Sequence, residues 1–166
     1  MRLRRDVRAY GRMEAGNAVA APALGLYFGW PSQLADAVLL GLALVAVTLG
    51  LVAGARYWLA LDARLKHRPG PMDRAMAFAS AAQLPMLVAT ILAAFGLAAT
   101  LIFGEWSRSN SVAAIATALA ALEYLNYYHV QLQHFDNAND SRRLLSGRGF
   151  RRAHLARDLA RWRRRK

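Results

Sequence analysis

Hydrogen-bonding and ionisable side chains are concentrated in one otherwise apolar stretch, residues 122–137. Its first ionisable residue is Glu123, and an ionised carboxylate inside a membrane is costly. We therefore expect the Glu123 carboxyl group to be protonated, paired or open to water. On a helix with about 100° per residue, Tyr128 falls on an apolar face and the other polar residues form one broad polar face. This polar face comprises Glu123, Asn126, Tyr127, His129, Gln133 and His134.

The polar face predicts a pocket or pathway that opens from Glu123 toward the cytoplasm. Gln83, in the preceding apolar run, and Asn126 are the predicted hydrogen-bond partners of Glu123. Polar residues at the cytoplasmic ends of the other spans are expected to converge on the same pocket, namely Glu14, Asn17, Arg56, Asp62 and Ser80. We predict a small membrane protein that handles an ion or a ligand, or a subunit of a membrane complex. Two alternatives stay open: a membrane-embedded enzyme that acts on a lipid or an isoprenoid, and a structural protein whose buried polar groups fix helix register. The pattern leans away from an enzyme and names no substrate.

Metal and cofactor chemistry is weakly represented in the sequence. His129 and His134 diverge by about 140° on a helix, whereas helical zinc sites use histidines at i and i+4. The chain has no cysteine, no Gly-x-Ser-x-Gly sequence and no Gly-rich phosphate loop. The sequence therefore predicts no metal and no cofactor.

Four apolar runs are available to position these residues. A membrane-spanning helix needs roughly 20 predominantly apolar residues. The predicted spans cover about residues 13–30, 34–61, 74–103 and 111–135. We expect an all-α, polytopic membrane protein whose four transmembrane helices form an antiparallel bundle within residues 1–137. Residues 138–166 would form a cytoplasmic basic tail.

The distribution of basic residues predicts the orientation. The chain carries 22 Lys and Arg residues and a net charge of +12. All of these residues except Arg108 fall on one side of the four-span arrangement, in the N-terminal stretch, the middle loop and the C-terminal tail. Because basic residues in short loops stay in the cytoplasm, both termini are predicted to be cytoplasmic. Topology thereby accounts for the charge, and we expect no nucleic-acid partner.

The C-terminal tail contains a predicted basic amphipathic helix, residues 150–164. Leu155, Leu159 and Trp162 lie on one face of it, with arginines opposite. We expect this helix to lie on the anionic inner leaflet, although a tail that only sets orientation fits equally well. The predicted contacts to lipid head groups are Arg142, Arg143, Arg157, Arg161 and Trp162.

Two GxxxG sequences, one with Gly25 and Gly29 and one with Gly50 and Gly54, are typical of close helix packing in membranes. An Ala- and Gly-rich chain also produces this spacing by chance. The predicted contacts could form within one chain or between chains, and we expect a homo-oligomer or a partner membrane subunit. The absence of a recognisable eukaryotic targeting or retention signal favours a bacterial inner membrane.

Overall fold

The structure is a computed structural model that describes residues 2–68, 70–132 and 151–165, with side chains from residue 7 onward. Within these residues the regular secondary structure is all helical, which confirms the all-α part of the predicted fold class. The helices are α1 (Arg2–Phe28), α2 (Leu34–Arg64), α3 (Gly70–Phe103), α4 (Arg108–Tyr128) and α5 (His154–Arg163).

α2 lies at the centre of the bundle, in contact with α1, α3 and α4. α1 runs antiparallel to α2, because the ring of Tyr10 lies 5.9 Å from that of Trp58, while Gly25 faces Leu44. A Cβ on Gly25 would lie 2.5 Å from a methyl carbon of Leu44. The glycine therefore permits these two helices to approach closely.

Contacts made by two glycines of α2 give the directions of α3 and α4. Gly50 faces Met86 of α3 and Glu123 of α4, and Gly54 faces Tyr127 of α4. α4 therefore runs parallel to α2, while α3 is antiparallel to both. We call the end that holds the start of α1, the α2–α3 turn and the end of α4 the basic end. The loop end, opposite, holds the α1–α2 and α3–α4 connections.

Small side chains fill the middle of the bundle. The core between α2, α3 and α4 is rich in alanine, whose single methyl group lets helix backbones approach closely. The alanines with no exposed surface are Ala43, Ala46, Ala79, Ala93, Ala113 and Ala120. A second cluster, at the basic end, is built from larger residues such as Tyr57, Met76 and Tyr127, and it extends onto α5.

Two of the described helices, α2 and α3, are long and apolar enough to cross a membrane. In the most apolar window of α3, 28% of the residues are buried inside the bundle, against 50% in α2. Much of the apolar surface of α3 therefore faces outward. Of the remaining long helices, α1 begins with a basic stretch and α4 carries Arg108 and Glu123, so their crossing of a membrane stays a prediction.

α4 ends at Tyr128, whereas the sequence predicts a helix as far as Phe135. Past this point, two backbone hydrogen bonds join the chain to the segment that precedes α5. The Gln131 amide donates to the Arg151 carbonyl at 2.8 Å, and the Ala153 amide donates to the His129 carbonyl at 3.1 Å. The helical pattern is thus replaced by a short antiparallel pairing with residues far along the chain.

α5 is shorter than the predicted amphipathic helix, and its apolar face is covered by protein. Leu155 is 1% exposed and Leu159 is 3% exposed, because both pack into the cluster at the basic end. The sequence-based expectation that this face lies on a membrane leaflet is therefore wrong for these two residues. An apolar helical stripe predicts burial, but it does not distinguish lipid from protein as the partner.

Candidate functional site

A hydrogen bond between α1 and α4 is buried at the basic end of the bundle. The Tyr127 hydroxyl donates to Glu14 Oε1 at 2.7 Å. Glu14 is 5% exposed and Tyr127 is 4% exposed. Because a buried carboxyl group is costly without a hydrogen-bond partner, this bond favours one register of α1 against α4.

Glu123 lies beside this pair, one helical turn before Tyr127. It is close enough to Glu14 and to the Tyr127 hydroxyl for the three groups to be coupled electrostatically. The Asn126 side chain, one of the two predicted partners, also lies near the Glu123 carboxyl group. Within the described structure, Glu14 Oε2 and Glu123 Oε2 are buried and have no hydrogen-bond partner. The acidic cluster, as we call Glu14, Tyr127 and Glu123, therefore offers two carboxyl oxygens to a proton or a small cation.

Two glycines of α2 make room for the acidic cluster. A Cβ on Gly54 would lie 2.5 Å from Tyr127 Cζ. A Cβ on Gly50 would lie 2.6 Å from Met86 Cε and 3.2 Å from Glu123 Cβ. The GxxxG sequence of α2 thus allows two polar side chains of α4 to lie directly against the α2 backbone.

Aromatic rings enclose the cluster on the side of α1 and α2. Trp58 lies near the Tyr127 hydroxyl, so this hydroxyl adjoins groups on two other helices, α1 and α2. The ring centroid of Trp58 lies 5.9 Å from that of Tyr10 and 5.3 Å from that of Tyr57. Aromatic pairs at such distances contribute about 0.5–1.5 kcal/mol beyond area burial, so the groups around the Tyr127 hydroxyl are themselves well held.

α5 closes the basic end of the bundle next to the acidic cluster. Leu155 and Leu159 belong to the same packed group of side chains as Tyr127. The Tyr57 hydroxyl donates to Asp158 Oδ2 at 3.1 Å, which links α5 to α2.

Arg163 links α5 to α3. Its Nη2 donates to Ser80 Oγ at 3.0 Å and to Gln83 Oε1 at 2.8 Å. Gln83 thus has Arg163 as its partner, in place of the predicted Glu123. Nearby, the Tyr128 hydroxyl donates to the Ala79 carbonyl at 2.8 Å. Tyr128 is therefore inside the bundle, and its predicted place on an apolar outer face is wrong.

Three residues of the predicted polar face come together in the structure, namely Glu123, Asn126 and Tyr127. Since α4 ends at Tyr128, Glu123 lies about 8 Å from the end of its helix at a rise of about 1.5 Å per residue. The sequence places it midway along a longer helix. The acidic cluster is accordingly closer to the basic end than predicted.

The predicted histidines do not join this cluster within the described residues. His129 follows the last turn of α4 and is exposed, with its ring 5.3 Å from that of Tyr124. Gln133 and His134 lie outside the described residues. Among the residues that the structure describes, no group of three or more His, Asp or Glu side chains could hold a metal ion.

The two glycines of α1 contact other helices of the same chain. Gly25 faces Leu44 of α2, and a Cβ on Gly29 would lie 3.0 Å from Val112 Cβ of α4. Together with Gly50 and Gly54, all four GxxxG glycines therefore lie at contacts within one chain. Packing between chains, if it occurs, would use other surfaces.

The predicted lipid-contacting residues that the structure describes are held by neighbours on α5 or in the bundle. Arg157 Nη2 lies 2.8 Å from His154 Nδ1. Arg161 lies 3.4 Å from Asp158, and Trp162 packs at the edge of the cluster at the basic end. Two predicted residues lie outside the described residues: Arg142 and Arg143.

Glu14 was expected to converge on the pocket from the start of the first span, but not as the hydrogen-bond partner of Tyr127. Three residues of this region are absent from the predicted site: Trp58, Asp158 and Arg163. A signal existed for one of them, because Asp158 is the one acidic residue in an arginine-rich segment. An acidic residue in such surroundings is a reason to look for a specific partner.

Comparisons of this chain with protein-family models, with curated proteins and with solved structures find no match.

Proposed function

We propose that this chain is a multi-pass membrane protein with four crossings and cytoplasmic termini, and that its acidic cluster takes up and releases a proton during proton transfer. One observation carries the proposal. The Glu14 carboxyl group accepts a hydrogen bond from Tyr127, the Glu123 carboxyl group lies beside this pair, and each carboxyl group keeps one buried oxygen without a partner among the described residues. An ionised carboxylate in apolar surroundings is costly, and a bound proton removes that cost.

The outward face of α3 supports the membrane setting. Its large apolar side chains, each at least 43% exposed, are Leu84, Val88, Ile91, Leu92, Phe95, Leu101, Ile102 and Phe103. Soluble monomers rarely expose an apolar patch larger than a few hundred Å². The core helix of a soluble protein would bury such residues, whereas lipid tails are as apolar as they are.

Helix lengths and the residues at the loop end support four crossings. α1 has 27 residues and α4 has 21, which correspond to about 40 Å and about 30 Å of helix. The hydrocarbon core of a bilayer is about 30 Å thick. Tyr27, Trp30 and Trp106 are exposed at the loop end, where aromatic side chains favour the head-group region.

The proposal assumes a bacterial inner membrane, with the basic end in the cytoplasm. Between the acidic cluster and the loop end, the bundle core is mostly alanine, leucine and valine, and the hydroxyls of the buried Thr90 and Thr117 are bonded to carbonyls of their own helices. We assign the rest of a proton path across the bilayer to a second copy of this chain or a partner membrane subunit. The acidic cluster would supply the cytoplasmic half of that path.

Proton transfer can be tested in proteoliposomes that contain a pH-sensitive dye. With a potassium diffusion potential as the driving force, we expect vesicles with the protein to acidify faster than empty vesicles. Glu123→Gln keeps the shape of the side chain but cannot titrate, so it should abolish the protein-dependent flux. Glu105→Gln makes the same change at an exposed residue of the loop end and should keep the full flux.

Proton binding can be measured separately by infrared difference spectroscopy between acidic and alkaline buffers. The C=O stretch of a protonated carboxyl group should be present in the wild type and reduced in Glu123→Gln. Equal spectra and equal flux in both proteins would overturn the proposal and leave the cluster a role in fixing helix register. Flux that follows Na⁺ or K⁺ instead of protons would reassign the site to a cation.

A further inference from the structure

Basic side chains line a cleft at the basic end, between α2, α3 and α5. The cleft has a volume of about 290 Å³, close to the lower limit of small-ligand pockets. Four of its lining residues are Arg64, Arg161, Trp162 and Arg165. A more open depression of about 460 Å³ adjoins it and adds Arg74 and Ala77 of α3.

Positive charge is in excess in the cleft and the adjoining depression. Together they contain four arginines but two aspartates, Asp73 and Asp158. Arg161 forms an ion pair with Asp158 at 3.4 Å. Within the described parts of the chain, no ion pair is found for Arg64, Arg74 or Arg165, and these three residues are exposed. The excess positive charge suits a phosphate group, and guanidinium groups are the side chains that bind phosphate oxygens most readily.

An apolar row on α3 leads away from the cleft toward the loop end. It begins at Ala77, which lines the depression, and continues through Ala81, Leu84 and Val88, all of which are exposed. Their spacing of i, i+4, i+7 and i+11 places them on one face of the helix. A phospholipid whose acyl chain lies along this row would have its phosphate group beside the arginines of the cleft. Trp162, which lines both hollows, has the amphipathic ring that is typical of the membrane interface.

We propose that this cleft is a binding site for the phosphate group of an anionic phospholipid of the inner leaflet, with an acyl chain on the α3 row. The inference rests on the membrane setting of the proposed function and not on proton transfer. A defined cleft of this kind binds one lipid per chain. A general attraction between a basic tail and an anionic surface has no such stoichiometry.

Native mass spectrometry of the detergent-solubilised full chain tests the site. The probes are phosphatidylglycerol, phosphatidylcholine and inorganic phosphate, each added in a concentration series. We expect one phosphatidylglycerol per chain, bound at least about tenfold more tightly than phosphatidylcholine. The double variant Arg64→Gln/Arg165→Gln should lose about 30-fold in affinity for phosphatidylglycerol, since each arginine near an anionic head group contributes about 1 kcal/mol and about 1.4 kcal/mol corresponds to tenfold. Arg108→Gln, an exposed arginine at the other end of the molecule, should leave the affinity unchanged.

Three results would overturn the proposal. These are equal affinity for the two lipids, an unchanged affinity in the double variant, and binding of inorganic phosphate as tight as that of the lipid, which would make the cleft a site for free anions. Glu123→Gln separates this inference from the proposed function. It should bind phosphatidylglycerol like the wild type even where it transfers no protons.

Discussion

Gly54 of α2 lies directly against the side chain of Tyr127 of α4. A Cβ at position 54 would lie 2.5 Å from Tyr127 Cζ, a distance that real Cβ atoms essentially never show. The hydroxyl of the same ring donates to Glu14 of α1 at 2.7 Å. Because residue 54 is a glycine, Tyr127 can lie against α2 and still donate to Glu14. The hydrogen bond that links α1 and α4 therefore requires a glycine at this position.

Gly54→Ala should destabilise the bundle by about 1–3 kcal/mol, because Tyr127 must move or α4 must shift away from α2. The displacement should also weaken the hydrogen bond to Glu14. The free energy of unfolding in mixed micelles, from a titration with sodium dodecyl sulfate, measures the loss.

Gly41→Ala is the matched control in the same helix. A Cβ on Gly41 meets nothing within 4 Å, so the change in stability should stay below about 1 kcal/mol. Gly50→Ala should fall between these two variants, since its closest neighbour is the flexible end of Met86. Equal stabilities for Gly41→Ala and Gly54→Ala would contradict the packing of Tyr127 against α2.

Tyr127→Phe removes the hydroxyl and leaves the buried Glu14 carboxyl group without its donor. We expect a loss of about 1–3 kcal/mol in the free energy of unfolding, the usual cost of an unsatisfied buried polar group. Tyr124→Phe removes a hydroxyl from the same helix, where the described structure shows no hydrogen bond to it. It should change the stability by less than about 0.5 kcal/mol.

A double-mutant cycle with Glu14→Ala tests whether the two residues act on each other. If the hydrogen bond accounts for the cost, Tyr127→Phe should cost clearly less once Glu14 is absent, with a coupling energy of about 1 kcal/mol. Additive effects of the two substitutions would show that the hydroxyl is stabilised by other groups, Trp58 first among them.

Local spacing was sufficient to predict part of the acidic cluster. Asn126 and Tyr127 follow Glu123 by one turn, and any helix through this segment places the three side chains together. Glu14 could not be found in this way, because it is separated from Tyr127 by 113 positions in the sequence. Its pairing depends on how α1 packs against α2 and α4, which is a tertiary property.

The end of α4 was missed for a related reason. No proline or glycine interrupts the segment after Tyr128 before Asn137. The residues from His129 to Leu132 do alternate polar and apolar, a period of two that is typical of extended chain. What ends the helix is pairing with the segment before α5, in which Gln131 donates to the Arg151 carbonyl. A helical projection considers one segment at a time. It leaves out the backbone hydrogen bonds that this segment can form with residues elsewhere in the chain.

The docking of α5 should depend on Asp158. Asp158→Asn weakens the hydrogen bond from Tyr57 and the attraction to the arginines around it. We expect α5 to open more easily by about 1–2 kcal/mol, which corresponds to roughly 5- to 30-fold faster amide hydrogen exchange in this helix. Arg161→Ala removes only the exposed ion pair at 3.4 Å and should change the exchange little. Equal exchange in the wild type and Asp158→Asn would mean that Leu155 and Leu159 alone hold the helix.

The proposed topology makes a prediction for single cysteines, which the chain allows because it has none of its own. Ser32→Cys lies at the loop end and should react with a membrane-impermeant maleimide added to intact cells. Gly70→Cys lies at the basic end and should react only after permeabilisation. A Cβ at position 70 meets nothing within 4 Å, so this variant should fold normally.

Crossing by α1 and by α4 is decided by two further cysteines at the basic end. If α1 crosses, Ala9→Cys should be protected like Gly70→Cys, because it lies on the opposite side from Ser32. Labelling of Ala9→Cys from outside would show that α1 lies along the membrane surface and would remove one of the four crossings. Arg164→Cys tests the crossing of α4 in the same way, and it should be protected in intact cells if α4 crosses. Since α5 docks against the start of α3 in the structure, labelling of Arg164→Cys in intact cells would contradict both the crossing of α4 and the docked position of α5.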